Sequence, residues 1–188
     1  FRDDPDIWVA IITGAGEKAF SAGVDLKEME RAPDVWGPWD SGEPSSPDPL
    51  VGPLEVWKPV IAAVNGYAFG MGCTLALSCD LRIAADTASF SYPEVERGIA
   101  VSLGTLMLPR LVPFGLAMEM LLTAVPIDAQ EAYRIGLVNK VVPRSELMPA
   151  AEAMARRICE NAPLAVRATK EHAIRGLEIP FEQGRRLG

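Results

Sequence analysis

The stretch Asn65-Gly-Tyr-Ala-Phe-Gly-Met-Gly-Cys-Thr-Leu-Ala-Leu-Ser-Cys-Asp80 decides how this chain folds. An apolar run, Val60 to Val64, leads into it, a glycine-punctuated turn follows, and an apolar helix from Met71 to Ser78 leaves it. Gly66, Gly70 and Gly72 let the backbone turn tightly and approach another backbone or a ligand. The first turn of a helix carries unpaired N–H groups and the positive end of the helix dipole. Such a turn suits an oxygen that gains negative charge. The stretch therefore points to an enzyme that stabilises an anion with main-chain donors.

Outward from it, Ile7 to Thr13 reads as a buried strand rich in Ile and Val. Ala15 to Gly23 reads as a turn-rich loop, and Asp25 as the N-cap of a short helix reaching Arg31. Pro33 to Pro53 repeats proline among Gly and Ser and reads as a loop or lid. A short helix is expected over Leu54 to Trp57. Short strands are expected at Leu81 to Ala85 and Ser89 to Ser91 around a turn at Asp86, with helices at Leu103 to Leu111 and Leu116 to Thr123. Asp128-Ala-Gln-Glu131 has the form of a capping box opening a helix that ends at Gly136, and Val138 to Val142 is a strand closed by Pro143. Glu146 to Cys159 and Pro163 to Arg175 are amphipathic helices. Strand-then-helix units early and helices late make an α/β chain.

The 188 residues suffice for a domain with a sizeable core. No apolar run approaches the roughly 20 residues that cross a membrane. The start, Phe1-Arg-Asp-Asp-Pro-Asp6, is acidic, shows no signal-peptide pattern and no initiator Met, and reads as a truncated start. Three cysteines without a CxxC pair suggest no disulfide framework, so the cytoplasm is the expected compartment. A net charge of −7 argues against broad nucleic-acid or membrane binding, and any anionic ligand needs a locally polarised site. With a single histidine, His172, on a polar helix, zinc sites and Ser-His-Asp chemistry lose their usual ligands and base. Gly14-Ala-Gly-Glu-Lys-Ala19 fits the loose dinucleotide pattern GxGxxA, but Phe20-Ser-Ala-Gly23 interrupts the helix a true fingerprint opens. Cys73 and Cys79 read as small core residues. Trp36, Trp39 and Trp57 around the proline loop either pack it down or line an acyl pocket.

Three pieces carry the functional reading: Ala19-Phe-Ser-Ala-Gly-Val-Asp-Leu26, the glycine turn Gly66 to Thr74, and Phe90-Ser-Tyr-Pro-Glu-Val-Glu-Arg-Gly98. Their order and spacing resemble the enoyl-CoA hydratase/isomerase family, the crotonase superfamily. Lys58-Pro-Val-Ile-Ala-Ala-Val-Asn-Gly66 and Ala129-Gln-Glu-Ala-Tyr-Arg-Ile-Gly-Leu-Val-Asn139 add to the likeness, which covers nearly the whole chain. The resemblance implies a crotonase-like α/β fold, a ββα spiral core followed by C-terminal helices, lacking part of both family termini. Residues 1–143 would form the spiral core with the active site, and 144–188 a helical region for oligomerisation and active-site cover. It also implies an acyl-CoA thioester as substrate, no metal or separate cofactor, and a homotrimer or pair of trimers.

Carried over by position, the backbone N–H groups of Val24 and Met71 form an oxyanion hole for the thioester oxygen. Losing one such donor typically costs about 2.7–4 kcal/mol of barrier stabilisation. Hydratases of the family use two glutamates; here one position is Glu94 and the other is Thr74. A hydroxyl can hold a water but is a poor base at neutral pH. One base suffices to move a proton between carbons, so the site looks isomerase-like. Ser102 stands where dienoyl isomerases are acidic, which argues against their reaction. Ser21, Ala22, Asp25, Leu26, Lys27, Gly70, Thr74 and Ser102 are the expected substrate contacts, with Lys27 available to the CoA phosphates. C–C cleavage or decarboxylation on the same enolate site, and a non-catalytic CoA-thioester binder, stay open. Glu96 reads as a surface or ion-pair residue beside Glu94.

Overall fold

The computed structural model describes residues 1–25, 27, 56–101, 103–177 and 179–184. The proline-rich 33–53 segment, Leu26, Ser102 and the end of the helix expected from Asp25 lie outside them. Within them, two four-stranded sheets share a chain that alternates between them. Strands β1 (Ala10–Thr13), β3 (Val60–Val64), β5 (Leu81–Ala85) and β8 (Lys140–Val142) form the first sheet in that order, all parallel. Strands β2 (Ala19–Ser21), β4 (Tyr67–Phe69), β6 (Ser89–Ser91) and β7 (Ile127–Asp128) form the second, with only β6 to β7 antiparallel. Each spiral turn lays one strand in each sheet. Helix α1 (Met71–Ser78) closes the second turn, and α2 (Leu103–Leu111) and α3 (Phe114–Thr123) follow the third.

The period-2 rule of a strand explains the core. On β3 and β5, Ala62, Val64 and Ala84 face a cluster that includes Phe90, Tyr92, Leu108 and Leu137. Ile61, Ala63, Ile83 and Ala85 face the opposite way, against Leu147 and Ala151 of α5 (Leu147–Cys159). The first sheet is covered on both faces, as continuous apolar strands of a parallel sheet require. Ile61 and Ile83 are wholly buried, and each contributes about 1.5–3 kcal/mol.

Several expectations need correction. Ala15 to Gly23 is not all loop, because Ala19–Ser21 is strand β2. Tyr67 to Phe69, inside the expected glycine turn, is strand β4. Three-residue strands are too short to show a period. Val56 and Trp57 are not helical, and the Trp57 ring stacks 5.1 Å from the Arg175 guanidinium. The first strand begins at Ala10, not Ile7. As expected, the Gly14–Ala19 pattern opens no helix; it runs into strand β2. Asp128 does cap α4 (Ala129–Arg134), accepting the Glu131 N–H at 2.8 Å. Among the described residues, no helix is long and apolar enough to cross a membrane.

Two buried polar side chains pin the spiral where it positions the second sheet. Asn65, at the corner between β3 and β4, accepts from Gly14 N at 3.0 Å and donates to Gly14 O at 3.2 Å and Gly16 O at 3.1 Å. Arg82 donates to Cys79 O at 2.6 Å, to Leu137 O at 2.7 Å, and at 3.4 Å to Ala76 O and Leu77 O. These include the carbonyls that the end of α1 leaves unpaired, where a cation is favoured. Arg82 thereby holds α1 from its C-terminal end. Asp80, just past α1, accepts from Val60 N and from Lys170 of α6 (Pro163–Gly176), both at 2.7 Å.

Candidate active site

The first turn of α1 is the centre of the site. Gly70 precedes it with φ 55° and ψ −124°, a conformation open to glycine alone. Its N–H donates to Ser91 O at 2.9 Å, which ties α1 to β6, and its carbonyl accepts from Thr74 N at 3.1 Å. Gly72 lies so close to β2 that a Cβ there would fall 2.0 Å from Ser21 O. The segment after β2 comes equally near: a Cβ on Gly23 would stand 3.2 Å from Met71 N and 3.1 Å from Phe69 O. The two glycine turns, 21–24 and 70–72, therefore touch, although the chain separates them by the whole second turn of the spiral.

The third piece closes on the same point. After β6, Pro93–Arg97 forms a 3-10 turn that carries Glu94. A Cβ on Gly70 would sit 2.8 Å from Glu94 Oε1, so the carboxyl lies directly against the entrance of α1. Glu94 Oε2 is buried and has no hydrogen-bond partner among the described residues. Burial pushes the carboxyl above the usual glutamate range, while its own backbone N–H and the Arg97 charge pull the other way to a smaller extent. A buried oxygen without a hydrogen-bond partner is costly, and such groups are found where a protein uses them. Glu96, on the same turn, is exposed.

Below Glu94, Thr74 is 2% exposed, and its hydroxyl lies 3.2 Å from the hydroxyl of Tyr92. Tyr92 has no exposed surface, and burial drives its phenol far above the ordinary tyrosine value. Cys73, also fully buried, contacts the same phenol, and its thiol is pushed up to about 12 by burial. These groups are inert as nucleophiles at neutral pH.

The structure thus brings Ser21 and Gly23 against Met71 and Gly72, and Glu94 against Gly70, with Thr74 one turn further along α1; Val24 follows Gly23 in the chain. Ala22 and Asp25 are exposed at the outer end of the first turn. Asp25 accepts the Lys27 N–H at 2.9 Å, and Lys27 is exposed. Leu26 and Ser102 lie outside the described residues. Tyr92 and Arg82 belong to the site's support, and the sequence reading passed over both. An aromatic residue just before Pro93-Glu94 was the available signal for Tyr92. A charged residue in an otherwise apolar strand, Leu81-Arg-Ile-Ala-Ala85, was the signal for Arg82.

Comparison with known proteins shows the family and the fold. Over residues 1–187 the chain matches the family model described as enoyl-CoA hydratase/isomerase. It is 45% identical over 186 residues to (E)-benzylidenesuccinyl-CoA hydratase of Thauera aromatica, covering 97% of this chain and 71% of that protein. It is 48% identical over 192 residues to carnitinyl-CoA dehydratase of Citrobacter koseri, covering 99% of this chain and 70% of that one. The crystal structure of enoyl-CoA hydratase from Mycobacterium tuberculosis superposes with a TM-score of 0.85 at 36% identity, over 99% of this chain and 73% of that one. The family model matched over residues 1–187 and relatives at 45–48% identity show that this chain belongs to the enoyl-CoA hydratase/isomerase family, a family of enzymes acting on CoA thioesters.

Proposed function

We propose that this protein moves a proton on an unsaturated acyl-CoA, with Glu94 as acid and base and the N–H groups of Val24 and Met71 as the oxyanion hole. The observation that carries the proposal is the Glu94 carboxyl, packed against Gly70 at the start of α1 with its Oε2 buried and without a hydrogen-bond partner among the described residues. The thioester oxygen sits at the helix entrance, where a positive dipole end and free main-chain donors meet it. Glu94 takes a proton from C2, and the C2–H electrons spread into a dienolate whose negative charge rests on that oxygen. The protonated Glu94 then delivers the proton to C4, the double bond moves from C3–C4 to C2–C3, and the carboxylate is regenerated. One carboxyl does both steps, and a pKa raised above the usual glutamate range suits it to both.

The names of the relatives favour a second reading. Both act by adding or removing water, and Glu94 can serve such a reaction if another group holds the water. Thr74 is poorly placed for that, since its hydroxyl is buried and already bonded to Tyr92. We therefore favour the double-bond shift. Lys27, exposed near the first turn, is assigned to the CoA phosphates, and Lys27→Ala should weaken CoA binding at low salt. Residues 144–188 are assigned to oligomerisation and cover of the site, in a trimer or pair of trimers.

The test is a side-by-side assay of 3-to-2 double-bond isomerisation and of hydration on a panel of enoyl-CoA esters. Glu94→Gln should lower turnover by about 10²–10⁴, the span of a positioned acid/base. Glu96→Gln should cost less than about threefold, as an exposed charge beside the site. Equal losses in the two variants would remove Glu94 from its role. Hydration faster than isomerisation in the unaltered protein would replace the first reading by the second.

A further inference from the structure

Adding water across a double bond asks two things of a site. A proton must reach C2, and the oxygen of a held water must bond to C3 while that water loses a proton. A single carboxyl can serve the proton, but the water needs its own place and its own acceptor. The floor of this site lies beneath Glu94, between the first turn of α1 and the start of α2. Tyr92 fills it.

Close packing and polar contacts hold the Tyr92 ring at once. Gly104, on the first turn of α2, lies so near the phenol that a Cβ would fall 2.4 Å from Tyr92 Cε1 and 2.5 Å from Cζ. The ring therefore rests on bare backbone. Its hydroxyl meets Thr74 Oγ1 at 3.2 Å and contacts Cys73, both from the first turn of α1. Both the ring edge and the hydroxyl are in contact with protein atoms, and Tyr92 has no exposed surface.

We propose that Tyr92 determines the reaction specificity of the site: seated on Gly104 and bonded to Thr74, it occupies the place in which a second, water-holding acid would have to stand. This inference rests on the proton chemistry proposed for Glu94. Its consequence is not obvious from the sequence. A glutamate at position 74 would extend its carboxylate beyond Oγ1, into the Tyr92 hydroxyl. Thr74→Glu alone therefore creates no water site, and only the loss of the phenol makes room for one.

The experiment is a double-mutant cycle of Thr74→Glu, Tyr92→Leu and both together, with thermal unfolding and the hydration-to-isomerisation ratio measured on the same preparations. Thr74→Glu should leave the ratio within about threefold of the unaltered protein and lower the melting temperature. The double variant should raise the ratio by about ten- to a hundredfold, below the roughly 10²–10⁴ of a fully positioned acid/base. It should also melt higher than the sum of the single losses predicts. A tenfold rise in ratio from Thr74→Glu alone would overturn the proposal. So would a folded double variant with an unchanged ratio. If the unaltered protein turns over no enoyl-CoA ester, the proposed function falls. The Tyr92 claim is then judged by unfolding alone, and additive stability losses would overturn it.

Discussion

Gly70→Ala separates the geometry of the site from the stability of the fold. The added Cβ would lie 2.8 Å from Glu94 Oε1 and 3.4 Å from its Cδ. To reach normal contact the carboxyl must back away by roughly 0.5–1 Å. The obstacle is the end of a side chain, so Glu94 moves and the fold survives. A misplacement of about 1 Å can cost around 10²-fold in rate, so kcat/KM should fall by about ten- to a hundredfold. The backbone adds its own effect, because φ 55° with ψ −124° is strained for alanine by about 1–3 kcal/mol. At about 2–4 °C per kcal/mol for a chain of this size, the melting temperature should drop by roughly 2–12 °C. Gly98→Ala is the control. Gly98 has φ 70° and ψ 19°, and a Cβ there meets nothing within 4 Å. That variant should lose about 1–2 kcal/mol to the left-handed backbone and little activity per folded molecule. The assay is kcat/KM on the best enoyl-CoA ester, with calorimetry on the same samples. Equal activity losses in the two variants, or a Gly70→Ala protein within about threefold of the original, would refute the placement of Glu94 against Gly70.

Three further outcomes follow from Glu94 and Asn65. Burial raises the Glu94 pKa, so the folded protein keeps this proton at a pH where the unfolded chain has released it. In that window stability falls as pH rises, and Glu94's share of the slope should vanish in Glu94→Gln when unfolding free energy is followed upward from the usual glutamate range. The same carboxyl must be ionised to take a proton, so kcat/KM should climb with pH through a pKa above the usual glutamate range. A rise centred within the ordinary range would contradict the burial argument. Asn65→Asp keeps the bond from Gly14 N but turns an oxygen toward the carbonyls of Gly14 and Gly16. It should cost about 2–4 kcal/mol at neutral pH, from two lost bonds and a poorly paired buried charge. Part of that should return near pH 4, where the protonated acid can donate to one carbonyl again. A loss that does not change with pH would show that the corner is held by other contacts.

The elements most legible in the sequence were those whose cause is local. Val60 to Val64 is an unbroken apolar run, and it is the buried strand β3. Glycines mark the start of α1, Asp128 caps α4, and Pro163 opens α6, each through chemistry that acts within one turn of chain. The order of the glycine turns and of Pro93-Glu94 carried the family, because main-chain donors and a carboxyl must come at set places along the spiral. Strands β2 and β4 were hidden, because three residues hold no period, and partners far along the chain make them strands. Residues 21–24, 70–74 and 92–94 meet only because parallel strands stack successive spiral turns over one another. The sequence alone named Glu94 and Thr74 as candidates, since residue type is enough for that. Only the tertiary structure decided that Glu94 Oε2 is buried without a partner among the described residues and that Thr74 is bonded to Tyr92. Desolvation and hydrogen bonding depend on which distant residues pack around a group, and no local pattern records them.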